Sequence, residues 1–91
     1  MKTWIDKNGS TIRVLTREQV ESENTSTIHK QQVLFGHQNK AWLEMLSKYQ
    51  AGDEFWDVMS SKKSWEALMG FQYIALARDG KEIDSITRKM N

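Results

Sequence analysis

The sequence predicts an α+β fold: a small antiparallel sheet packed against one longer helix (about 39–51) and one short helix (about 62–69). Three observations carry this. Asn8-Gly9 and Asp79-Gly80 each divide a pair of strand-like segments, and these dipeptides close two-residue hairpins because both central positions take positive φ. Ala41, Trp42, Met45, Leu46 and Tyr49 recur at helical spacing and form one apolar stripe. The segment "EFWDVM", residues 54–59, reads as a further strand.

The N-terminal hairpin comes first. A two-residue loop at Asn8-Gly9 pairs Ile5 with Ile12, Trp4 with Arg13 and Thr3 with Val14. Ile5, Ile12 and Val14 then face the core, and Trp4 stacks on Arg13 on the other side. Thr16 with Gln19 three residues later is a capping box that starts a short helix near Arg17. The polar stretch over 21–27 is expected to be a flexible loop. Residues 28–51 look helical, with a break or kink near Gly36, and Gly52 stands where a helix-ending glycine belongs. Ser60 or Ser61 caps the short helix, and Gly70 stops it. Phe71–Arg78 and Lys81–Arg88 form the last hairpin, whose register across Asp79-Gly80 sets Leu76 against Ile83 and Tyr73 against Ile86.

Composition narrows the function. Residues 1–91 make one domain, and 38 % hydrophobic with 27 % charged residues is too apolar for disorder throughout. Thirteen basic against 12 acidic side chains leave a net charge of +1, without the basic excess of a dedicated duplex-DNA binder. There is no Cys, so disulfides, thiolate nucleophiles and Cys-ligated zinc are excluded. That absence favours a reducing compartment, and the start "MKTWIDKNGS" has no apolar leader, so the cytoplasm is the expected location. No apolar run is long enough for a membrane span.

Few residues suggest chemistry. His29 and His37 lie two turns apart on the expected helix and lack further ligands, so no metal site and no cofactor are expected. Asp53, Glu54 and Asp57 are a small acidic group that would serve an enzyme only in a cleft with a raised carboxyl pKa, and Trp56 and Asp57 point to opposite sides of a strand. Ser60, Ser61 and Ser64 lack the setting of a nucleophile. Arg78-Asp79-Gly80-Lys81 reads as a wet hairpin turn.

The aromatic residues remain. Four Trp are more than one small core needs, and surplus Trp beside Arg is the make-up of an interface anchor or of a second apolar cluster behind the sheet. The expected function is a small non-enzymatic protein-binding module, an inhibitor, immunity-type or regulatory protein, contacting another protein through Trp4, Arg13 and Trp56. The alternative is a nucleic-acid binder using Arg13, Lys81, Arg88 and Lys89. A homodimer through an open sheet edge fits either reading.

Overall fold

The computed structural model describes residues 2–91 and shows an α+β fold. The strands are β1 (Thr3–Ile5), β2 (Thr11–Leu15), β3 (Thr25–Ile28), β4 (Gln31–Leu34), β5 (Glu54–Met59), β6 (Phe71–Arg78) and β7 (Lys81–Met90). The helices are α1 (Arg17–Glu23), α2 (Asn39–Lys48, preceded by a 3-10 turn at Gly36–Gln38) and α3 (Lys62–Glu66). Five strands form an antiparallel sheet in the order β1-β2-β5-β6-β7, and β3-β4 is a separate ribbon. Among the described residues no helix is long and apolar enough to cross a membrane.

The capping box forms as expected. Gln19 N–H donates to Thr16 Oγ1 at 3.1 Å, and Thr16 N–H donates to Gln19 Oε1 at 2.9 Å. Residues 21–27, expected as a loop, are shared between the end of α1 and β3. Helix over 28–35 is also corrected: these residues fold as the β3-β4 hairpin, turning at His29 (φ 49°) and Lys30 (φ 65°). No glycine or asparagine marks that turn, so pattern reading had nothing to detect. The chain re-enters helical geometry only at Gly36, after Phe35 at φ 60°.

The N-terminal register differs by one residue from expectation. Trp4 pairs with Ile12, and Thr3, rather than Trp4, lies opposite Arg13. The cause is Asp6. Its Oδ1 accepts the N–H groups of Asn8 (2.8 Å) and Ser10 (2.9 Å), while Gly9 N–H closes on Asp6 C=O at 3.1 Å. Only Gly9 takes positive φ, at 82°, so a three-residue loop with a bulge replaces the two-residue turn. A one-residue slip exchanges faces: Trp4 joins Ile12 on the sheet face away from α1 and α2, and Ile5 is 70 % exposed.

The C-terminal turn is the expected two-residue one, with Asp79 at φ 53°, Gly80 at 78° and Arg78 paired with Lys81. Beyond it β7 carries two bulges. The first leaves Ile83 as an extra residue, so Leu76 pairs with Asp84 and Ile74 with Ile86. The expected pairs Leu76–Ile83 and Tyr73–Ile86 are thereby replaced, and Ile86 reaches the main core.

Two apolar clusters hold the sheet from either side. On the helix side Leu15, Phe55, Ile74, Leu76 and Ile86 pack with Val20 of α1, Phe35, and Trp42 and Met45 of α2. Trp42 stacks on Phe35 with ring centroids 4.7 Å apart, and its Nε1–H donates to Glu21 Oε2 at 3.0 Å. On the other side Ile12, Trp56, Val58, Ala75 and Ala77 are buried, with Trp4, Val14, Phe71 and Tyr73 packed half-buried around them.

Helix α3 is capped by Ser61, whose Oγ accepts Ser64 N–H at 3.2 Å. It ends before the expected Gly70. Leu68 takes φ 60°, and Met69 N–H reaches Ser64 C=O at 2.8 Å while Leu68 N–H reaches Trp65 C=O at 3.2 Å. This is the Schellman pattern with a leucine in the glycine position. Gly70 serves a different purpose: a Cβ there would lie 2.2 Å from the Trp65 ring.

Candidate functional site

The registers lay the helix-free face out in cross-strand rows. Trp4, Ile12, Val58, Tyr73 and Thr87 form one, and Val14, Trp56, Ala75 and Ser85 the next. Trp4 meets Trp56 edge-on at 5.2 Å between centroids, and Phe71 stacks on Tyr73 at 5.9 Å. Met90, opposite Phe71, is 75 % exposed and extends the apolar strip to the sheet edge. No helix residue belongs to this cluster.

Polar groups edge the face. Trp56 Nε1–H donates to Glu54 Oε1 at 3.2 Å, and Lys2 Nζ lies 2.7 Å from Glu54 Oε2. Lys2, followed by the Trp56 indole, holds the Glu54 carboxyl below its usual range. Tyr73 Oη–H donates to Glu82 Oε2 at 2.8 Å, and burial, aided by this bond, raises the phenol's pKa.

The helix side divides in two. One half is the apolar core beneath α2. The other continues as the rows Arg13–Asp57 and Thr11–Met59–Gln72–Lys89. Here a cleft of about 270 Å³ opens, lined by Arg13, Glu23, Asn24, Asp57, Met59, Gln72, Arg88 and Lys89. Arg13 Nη2 donates to Asp57 Oδ2 and, at 3.0 Å, to Glu23 Oε1. These bonds, Asp57 first, raise the guanidinium's pKa. Gln72 Nε2 donates to Asp57 Oδ1 at 2.8 Å.

Arg88 is held differently. Its Nε donates to Asn24 Oδ1 at 3.0 Å, its Nη1 donates to Gln38 Oε1, and its guanidinium lies 4.8 Å from the Phe35 ring centroid. Among the described residues no carboxylate pairs with it, and burial lowers its pKa.

A larger cleft, about 440 Å³, lies between the start of α1 and the end of α2, with Leu15, Leu46, Tyr49 and Phe55 in its walls. Arg17, Glu18, Asp53 and Glu54 line it as well, the last two belonging to the acidic group noted in the sequence.

The structure separates the residues that sequence reading had grouped. Trp4 and Trp56 meet on the helix-free face, while Arg13 occupies the opposite face and pairs with Asp57. Of the basic set, Arg13, Arg88 and Lys89 converge on the polar cleft, interrupted by Glu23 and Asp57. Lys81 sits at the other end of β7, about 25 Å away at the usual strand rise. His29 lies in the β3-β4 turn and His37 in the 3-10 turn, so the helix expected to separate them is absent. Among the described residues no group of three or more His, Cys, Asp or Glu is placed to hold a metal ion. Sequence reading missed Phe71 and Tyr73 as surface aromatics, although their alternation along β6 was there to find. It also missed the tie between Asp57 and Arg13, which depends on a long-range register.

Comparison with known proteins found no matching family model, no similar curated protein and no similar solved structure.

Proposed function

We propose that the chain is a small non-enzymatic protein-binding module, of the inhibitor, immunity or regulatory kind. It docks another protein on the helix-free face of its sheet through Trp4, Trp56, Phe71 and Tyr73. The observation that carries this is the aromatic cluster on that face, half-exposed at Trp4, Phe71 and Tyr73, with no helix contributing to it. Aromatic side chains concentrate binding energy at interfaces, and a polar rim such as Glu54, Lys2 and Glu82 is the usual surround.

The acidic group supports the same reading. Asp53 is gripped by Arg78 and Glu54 by Lys2, and both carboxyls are lowered in pKa. A general acid needs the reverse shift. Cysteine-free composition suits a reducing compartment, so the cytoplasm belongs to this proposal.

The test is affinity capture from the native host, comparing the wild-type chain with a Trp4→Ala/Tyr73→Ala variant whose amide NMR spectrum stays dispersed. The variant should lose at least about tenfold in affinity for whatever the wild type retains. Equal capture overturns the proposal. Sedimentation of the purified chain separates a foreign partner from a second copy paired along the open edge of β7.

A further inference from the structure

The polar cleft on the helix side has no part in that docking surface, and its construction points to a ligand of its own. Its formal charge is the starting point. Arg13, Arg88 and Lys89 bring three positive charges, and Glu23 and Asp57 bring two negative ones. Both carboxylates pair with Arg13. The cleft therefore carries a net charge of +1, and among the described residues neither Arg88 nor Lys89 pairs with a carboxylate.

The backbone aims that charge. A register shift between Gln72 and Tyr73 makes Arg88 an extra residue in β7, since Tyr73 pairs with Thr87 and Gln72 with Lys89. A bulge turns consecutive side chains to one side of a strand. Arg88 and Lys89 consequently both line the cleft, which regular alternation would forbid.

The arrangement of Arg88 is also preorganised. Asn24 Oδ1, Gln38 Oε1 and the Phe35 ring fix the guanidinium through neutral groups alone. Nε and Nη1 are used by these contacts, while Nη2 makes no hydrogen bond among the described residues. Partial burial of a guanidinium without a counter-ion is costly, and an anion brought to Nη2 offsets that cost. Asn24, itself buried, is fixed in turn by donating from Nδ2 to Val20 C=O at 2.8 Å.

We infer that this cleft binds a small organic carboxylate, its charged end between Arg88, Lys89 and Gln72 and its carbon body against Met59. One negative charge balances the cleft, whereas a phosphate dianion would bring excess charge close to Glu23 and Asp57. The volume of about 270 Å³ admits a body larger than acetate.

The experiment is an NMR titration of the ¹⁵N-labelled full chain with sodium acetate, sodium butyrate and inorganic phosphate, each against sodium chloride at equal ionic strength. Butyrate should produce saturable shifts at Arg88 Nε and at the amides of Asn24, Gln72 and Lys89, with a dissociation constant of roughly 1–10 mM. Acetate should bind more weakly, and phosphate weaker still. Glu23→Gln removes an exposed negative charge and should tighten butyrate binding severalfold, and Lys89→Gln should weaken it severalfold, both with dispersed spectra. Shifts that match chloride, or an unchanged affinity in both variants, overturn the inference. Tighter binding of phosphate than of butyrate overturns the assignment to a carboxylate.

Discussion

Arg78 grips Asp53 in a two-pronged ion pair: Nε donates to Oδ1 at 2.9 Å and Nη2 to Oδ2 at 2.8 Å. The same Nη2 donates to Lys48 C=O at 2.9 Å, at the end of α2, and Asp53 Oδ2 accepts Gln50 N–H at 2.9 Å. One charge pair therefore joins the last turn of the long helix, the Gly52 turn and the end of β6. It also accounts for the first of the charges that crowd residues 78–84. Arg78 clamps the helix, and the charged turn beyond it reverses the chain.

This clamp should make the protein acid-sensitive. Arg78 holds the Asp53 carboxyl below its ordinary value, so the stabilisation is complete above the unfolded-state carboxylate range. It is lost as pH falls through the lower, folded-state pKa. Asp53→Asn should be less stable than wild type at neutral pH and lose less on acidification. Urea midpoints measured from neutral pH down to about pH 2 check this, and parallel curves would contradict it.

The β3-β4 turn carries removable strain. His29 and Lys30 both sit in the left-handed region, which disfavours side chains with a Cβ by roughly 1–2 kcal/mol each. His29→Asn with Lys30→Gly should stabilise the chain by about 1 kcal/mol, after the added backbone freedom of glycine is subtracted. Denaturant unfolding gives the difference directly.

Gly70 is a steric requirement of Trp65. An added Cβ would meet three ring atoms at 2.2, 2.4 and 2.7 Å. Gly70→Ala should cost about 1–3 kcal/mol, as overpacking does. In a Trp65→Ala background the same change should be nearly neutral. A double-mutant cycle without coupling would refute the contact.

Ile83 is the odd residue of the first β7 bulge and is 41 % exposed. Deleting it joins Glu82, opposite Ala77, directly to Asp84, opposite Leu76, and leaves Ile86 opposite Ile74. The deletion should change stability by no more than about 1 kcal/mol, the range of a tolerated surface change. A collapse of the fold on deletion would show that the bulge itself is required.

Much of this architecture was legible in the chain. The spans of β5 and β6 match the expected ones, and the Thr16 capping box, the Ser61 cap and the Asp79-Gly80 turn formed as their local chemistry requires; the apolar stripe of α2 holds from Ala41 to Leu46, but the helix ends at Lys48, short of residue 51 and of Gly52, and leaves Tyr49 beyond it, 45 % exposed. Each depends on residues within a few positions of one another, so neighbouring groups decide the outcome. The α+β class follows because those local choices agree.

Tertiary structure decided what depends on register and on contacts between distant segments. Asp6 captured the first turn and set Trp4 beside Ile12 on the helix-free face of the sheet. The β7 bulges turned Ile86 into the core and set Arg88 beside Lys89. The sheet put Arg13 across from Asp57, on the face opposite Trp4 and Trp56. A strand exchanges its two faces when pairing slips by one residue. Composition and alternation thus identify the side chains that share a face, and only the pairing of distant strands selects the face and its neighbours.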